Sequence, residues 1–231
     1  MQTFWVLKGR AANVFSQQRE TSGVKLCLSR LKCSAAAAAF PLLAACSDAT
    51  LVKLGPGEFA PETPLQTTAA IESLTYRDVT LHPRATYSIT AKVLSKRHYR
   101  FGELSEAANW DFALGWGPMS DEARIENLRV TQGDRLMFLH LQDSGINLGT
   151  AQVYSANVHL VTENPGLEAQ LEAIPEGAIV KLSGHLVDVE LSSGKTIPTS
   201  LTRRDIGRGA CEILYVSDVS YATDAAAVGT L

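Results

Sequence analysis

One segment restricts the folds open to this chain more than any other. Ala178–Leu191 (AIVKLSGHLVDVEL) begins on one apolar alternation, Val180 and Leu182, and resumes on the other, Val187, Val189 and Leu191. Gly184 sits where the phase changes. Period-two alternation marks a half-buried strand. A one-residue phase change around a glycine predicts a bulge or a sharp bend. A long strand that bends belongs to a curved sheet, and a small barrel suits it, because closure removes exposed edges.

The rest of the region 72–221 agrees. Tyr87, Ile89, Ala91 and Val93 alternate with polar residues, and Arg135–Leu141 (RLMFLHL) is a compact apolar run after a Gly133-Asp134 turn. Ala151–Val161 (AQVYSANVHLV) reads as another strand, and Pro198 marks Thr196–Thr202 as edge or irregular. Glu212–Val216 and Val219–Tyr221 follow. Helices are few and short in this reading. Ser105 caps Glu106–Leu114, Ser120 caps Asp121–Leu128, and Gly166–Ile174 runs until Pro175 and Gly177 stop it. The expected fold is mainly β with two or three short helices (α+β), a small closed or partly open barrel, OB-like by pattern only.

Charge divides the chain in two. The first 45 residues carry Lys8, Arg10, Arg19, Lys25, Arg30 and Lys32 against Glu20 alone. The remainder carries 15 basic and 23 acidic side chains, a net −8. That balance opposes phosphate, so no nucleic-acid partner is expected. Lys25, Arg30 and Lys32 precede an apolar run, Ala35–Ala45 (AAAAAFPLLAA), the layout of a secretory signal. The run is about half of the ~20 apolar residues that cross a bilayer as a helix.

The run ends Leu43-Ala44-Ala45-Cys46-Ser47-Asp48. This resembles a bacterial lipoprotein signal, whose lipobox is Leu, two small residues and Cys. The resemblance implies cleavage before Cys46 and acyl chains on Cys46. Two or more chains anchor stably where one does so marginally. Ser47 in place of Asp implies the outer membrane, facing the periplasm. Residues 1–23 precede the basic flank, and translation from Val24 would account for them. The domain reading is therefore 1–45 signal, 46–71 lipidated Cys46 and flexible tether, 72–221 one β-rich domain, and 222–231 a disordered tail. Of the four cysteines, Cys27 and Cys33 leave with the signal and Cys46 takes lipid, so Cys211 is the one thiol of the mature chain.

Two segments hold the candidate binding residues. Trp110–Asp121 (WDFALGWGPMSD) brackets Trp116 with glycines, and Asp121 follows a Pro-fixed turn. Such an indole serves as a stacking platform or as a plug for one end of the barrel. Ser200–Glu212 (SLTRRDIGRGACE) gathers Arg203, Arg204 and Arg208 around Gly207 and Gly209, an arrangement suited to an anion or to a solvated loop. GWGPMSD at 115–121, SANVHL at 155–160, SLTR at 200–203 and GACE at 209–212 together resemble an uncharacterised family of bacterial envelope proteins. The resemblance covers roughly Tyr87–Val219 and implies a shared domain with no assigned activity.

Catalytic spacings are few. Cys211 as nucleophile with His159 or His185 as base, and Asp205 or Asp188 as orienter, is one arrangement; a buried inert thiol is the other. The histidines 82, 98, 140, 159 and 185 show no metal spacing, so neither metal nor cofactor is expected, although His140, His159 and His185 could meet across strands. Asp188 and Glu190 share a strand face. Three functions stay open: a non-enzymatic module binding an envelope protein or polymer, a cryptic Cys/His hydrolase or transferase, and a purely structural accessory domain.

Overall fold

A computed structural model describes residues 6–7, 51–141, 144–202 and 209–231. Cys46, the run 35–45 before it and the residues Arg203, Arg204, Asp205, Gly207 and Arg208 lie outside the described residues. The strands are β1 (Val6–Leu7), β2 (Leu65–Thr68), β3 (Leu74–Tyr76), β4 (Val79–His98), β5 (Ala108–Gly115), β6 (Leu128–Gly133), β7 (Leu136–Leu141), β8 (Ser155–Val161), β9 (Ile179–Glu190), β10 (Thr196–Ile197) and β11 (Glu212–Ala222). Among the described residues four short helices accompany them: α1 (Glu122–Ile125), α2 (Leu148–Val153), α3 (Pro165–Ala173) and α4 (Ala225–Val228).

Five strands close into a ring. β4 pairs antiparallel with β9 from Thr80 to Lys92, then with β5 from Lys92 to His98. β5 continues antiparallel to β8, β8 runs parallel to β11, and β11 returns antiparallel to β9. The 20-residue β4 therefore spans two neighbours and closes the circuit. The mainly β fold with short helices expected from the sequence is the fold observed.

The irregularity expected at Gly184 falls opposite it, and β9 itself runs unbroken through the glycine. Gly184 pairs with Val216, and a Cβ on Gly184 would lie 1.9 Å from the Tyr215 carbonyl oxygen. Only glycine permits that approach. The accompanying bulge lies on the partner strand, between Val216 and Asp218 of β11.

The ring's core holds Ile89, Phe112, Leu114, Trp116, Leu182, Leu186 and Leu214, all buried. Each such aliphatic or aromatic side chain contributes about 1.5–3 kcal/mol on full burial. Helix α3 adds Leu171, and Ile174 follows at its end. Outside the ring, the antiparallel hairpin β6–β7 covers a separate cluster of Ala113, Met119, Met137, Leu139 and Ala151. β1 pairs antiparallel with β7 at the hairpin.

Several local expectations change. The helix expected over 106–114 and capped by Ser105 is instead the end of a 3-10 turn, Glu103–Glu106, followed by β5. Alternation decides it: Phe112 and Leu114 enter the core while Asp111 and Ala113 face the other way. The helix expected over 121–128 shortens to α1, capped by Asp121, whose carboxylate accepts from Ala123 N–H at 3.0 Å. The start of the 151–161 run is helical because Asn147 caps α2 through Thr150 N–H at 2.9 Å.

The stretch expected to be a tether is strapped to the ring from Val52 onward. Val52 N–H donates to Glu176 O (2.9 Å), Leu54 and Gly55 N–H donate to the Glu122 carboxylate, and Ala60 N–H donates to Ser120 Oγ. β2 then adds to β4. Residues 222–231 are also tied down. Asp224 caps α4, Val228 and Leu231 pack on the core, and Lys181 Nζ donates to Leu231 O at 2.6 Å. Among the described residues no helix is long and apolar enough to cross a membrane.

Candidate functional site

β5, β8 and β11 stand side by side in the ring. Phe112, Leu114, Val158, Leu160 and Leu214 point into the core, so alternation sends Asp111, Asn157 and His159 to the outer face. Asp111 pairs in register with His159, and His159 with Ile213. Cys211, two residues before Ile213, reaches the same face beside Asn157, whose Nδ2 lies 3.8 Å from Sγ. The parallel β8–β11 pair thus sets the thiol, the imidazole and the carboxylate together.

The hairpin β6–β7 roofs them. Its two-residue turn, Asp134-Arg135, has φ of 50° and 64°. Turns of this kind match the twist of a hairpin but favour Asn-Gly or Asp-Gly. Here Arg135 takes the second place and spans the site. Its Nη1 donates to Asp111 Oδ1 (2.6 Å), and its Nη2 donates to Ser105 Oγ (2.7 Å) and Ala108 O (2.9 Å). The guanidinium carbon lies 4.1 Å from the centre of the Tyr99 ring. Arg135's own carbonyl accepts from Asn157 Nδ2 at 3.2 Å and from the Cys211 S–H at 3.7 Å. Gln132 fastens the strand behind, donating to Asp111 O (3.2 Å) and Asn157 Oδ1 (2.7 Å).

Burial makes these charges matter. Asp111 is fully buried and His159 only 6% exposed. His159 Nδ1 sits 2.8 Å from Asp111 Oδ1, an ion-pair separation that lies off the hydrogen-bonding line. Burial alone would lower the imidazole's proton affinity. Asp111 outweighs it through charge and contact, Cys211 adds to the effect, and the result is pushed up to about 9. His159 is therefore an imidazolium at neutral pH. Asp111 Oδ2 and Gln132 Oε1 are buried acceptors that no donor meets among the described residues.

The other residues singled out in the sequence go elsewhere. Trp116 is 1% exposed and fills the ring's core, so it packs inside and offers no stacking platform; its neighbour Gly117 abuts Tyr154. Asp121 caps α1, and the Gly57 N–H, at 2.9 Å, holds its carboxyl below the ordinary value. Asp188 accepts from Arg84 and from Thr199 N–H (2.9 Å), so it does not orient His159. His185 pairs with Tyr215 and Thr86, and His140 bonds Thr131. His140 and His185 do not join His159: among the described residues no group of three or more His, Cys, Asp or Glu is placed to hold a metal. A cavity of about 470 Å³ opens at the strap, between Val93, Leu94, Leu128, Val130 and the Lys92–Glu122 ion pair. It shares no residue with the cysteine cluster.

Sequence reasoning reached Cys211 and His159 but missed Asp111, Arg135 and Asn157. Asn157 carried a readable signal, since it shares a strand face with His159 two residues on. The position of Arg135 directly after the Gly133-Asp134 turn was a second such signal. No protein-family model, no curated protein and no solved structure matches the chain. The cluster itself is what the function has to be read from. It holds a soft nucleophile, a proton carrier and a buried carboxylate that orients the carrier, the parts of cysteine-based covalent catalysis.

Proposed function

We propose that the chain is a lipid-anchored protein of the cell envelope, held at the outer membrane facing the periplasm by acyl chains on Cys46. We propose further that its ring domain performs thiol-based hydrolysis or acyl transfer on an envelope component. One observation carries the chemistry: Cys211, His159 and Asp111 meet on the outer face of three ring strands. The basic flank, the apolar run and the box at 43–46 support the anchor.

The reaction follows from the cluster. In the reactive state the proton that Cys211 donates to the Arg135 carbonyl has left to water, and the Sγ thiolate, paired with the His159 imidazolium, attacks an acyl carbonyl. The C–S bond forms, the bond to the leaving group breaks, and His159 passes its proton to the departing atom. Water, or an acceptor hydroxyl or amine, then attacks the thioester and gives its proton to His159. Sγ leaves, and the pair returns to its first state.

Alkylation of the folded protein by iodoacetamide at neutral pH, read at Cys211 by peptide mass, tests the chemistry. Cys211 reacts in the folded protein, and His159→Gln slows it about 100-fold. Reaction of Cys211 only after denaturation overturns it. Incorporation of labelled palmitate, lost in Cys46→Ser, tests the anchor; an unlabelled wild-type chain overturns that half.

A second reading rests on the burial of Cys211, which is 6% exposed. In it the cluster fastens the hairpin to the ring, and the domain is a non-enzymatic binding or accessory module. Under that reading Cys211→Ala lowers stability and no acyl compound labels the wild type.

A further inference from the structure

We infer that Arg135 is the positioning residue of this site: its side chain fixes the Asp111 carboxylate, and its backbone carbonyl fixes the Cys211 thiol. The inference deepens the thiol reading above and rests on it. Three independent observations carry it.

First, the backbone is strained to place this residue. A non-glycine residue at positive φ costs of order 1–3 kcal/mol, and such strain persists only where the surroundings enforce it. Arg135 is at 64°, beside Asp134 at 50°. Second, the guanidinium directs three of its five N–H groups to Asp111 Oδ1, Ser105 Oγ and Ala108 O, with the Tyr99 ring on its face. The Tyr99 hydroxyl also accepts from Arg135 N–H at 3.2 Å, so the residue is held from both ends. Third, the two halves of the residue address two different members of the site. The fork meets the carboxylate, and the carbonyl receives Cys211 S–H and Asn157 Nδ2.

Arg135 and His159 touch the same oxygen of Asp111. They therefore share one negative charge, and each limits what the other draws from it. The groups facing His159 are Asp111 from β5, Cys211 from the lead into β11, and Arg135 from the hairpin. Tyr99 stands behind Arg135. Glu212 leaves β11 on the opposite face, and Asp134 is exposed. Removing the guanidinium takes a positive charge from this set and leaves more of Asp111 to the imidazole.

The double substitution Asp134→Asn with Arg135→Gly tests this without breaking the turn. Asn-Gly suits the same φ values, so the hairpin persists and keeps its carbonyl while the fork is lost. In the full chain, the His159 titration midpoint, read by NMR of the ring protons, moves up by about one pH unit or more. Alkylation of Cys211 at neutral pH falls about tenfold, because the imidazole is no longer held. A purely structural Arg135 would leave the midpoint where it is. A midpoint unmoved to within about a quarter unit, with hairpin amides still protected, overturns the inference. Should the double variant not fold, Arg135→Lys keeps the charge and loses the fork. It holds the midpoint and slows alkylation, and an unchanged rate overturns the inference. The two proposals fail separately. A wild type that resists alkylation, with a midpoint that still moves in the double variant, removes the thiol chemistry and keeps Arg135 as the group that positions Asp111.

Discussion

His159 makes the stability of this domain depend on pH in one direction. Replacing it with Gln removes the titrating group and keeps a polar side chain of similar reach. In the folded protein the imidazole is raised from 6.5 to about 9. A group whose proton affinity rises on folding stabilises the fold fully below its unfolded value, here near pH 6.5. It loses that contribution as the pH climbs through about 9. At roughly 1.4 kcal/mol per unit, the full contribution is about 3 kcal/mol. Urea unfolding of wild type and His159→Gln, at several values between about pH 6 and pH 10, reads it directly. The wild type is the more stable at the acid end, and the gap narrows by about 3 kcal/mol toward the alkaline end. Titrations common to both chains cancel in the difference. A gap that stays constant across the range would refute the reasoning, because the Asp111–His159 contact would then not be charged.

Four further outcomes follow from the packing. Gly184→Ala sets a Cβ 1.9 Å from Tyr215 O, and the ring loses about 3 kcal/mol in urea unfolding; a neutral result would mean that β9 and β11 part easily there. Glu122→Gln leaves the 4%-exposed Lys92 on the Gly177 carbonyl without its counter-charge, and calorimetry shows a loss of about 3–5 kcal/mol. Phe112→Ala empties the ring's centre, with the same assay giving about 3–5 kcal/mol. Gly177→Ala drives a Cβ to 2.0 Å from Val52 O at a φ of 88°, so the strap lifts and limited proteolysis cuts within 51–60 faster than in the wild type.

Much of the ring was legible because it obeys one rule. Tyr87–Val93 alternates cleanly, and the phase change at Gly184 in Ala178–Leu191 marks where the partner strand β11 bulges. The site was half legible. Cys211 and His159 are rare residue types and draw attention wherever they fall. Asp111 was lost because 106–114 reads as a helix after a capping serine. On a helix Asp111 shares no face with His159; on a strand its register partner is His159. That pairing is a tertiary fact, set by which strands close the ring. Arg135 reads as the first residue of an apolar strand, and its importance lies in a turn conformation that residue preferences argue against. The strap was misjudged for the opposite reason. Pro- and Gly-rich stretches look free until one finds that their N–H groups are spent on Glu122, Asp121 and Ser120.

The parallel pairing of β8 with β11 has a consequence for how the domain comes into being. β11 is the last strand of the ring in the chain, and its partner lies beyond a helix and two intervening strands. Contacts of such long sequence separation form late. Until β11 seats, Cys211 has no imidazole beside it, and the ring has an open flank. A chain emerging from a ribosome therefore carries an unassembled thiol site until its final strand is in hand. Ring closure and the arming of the cysteine are one event.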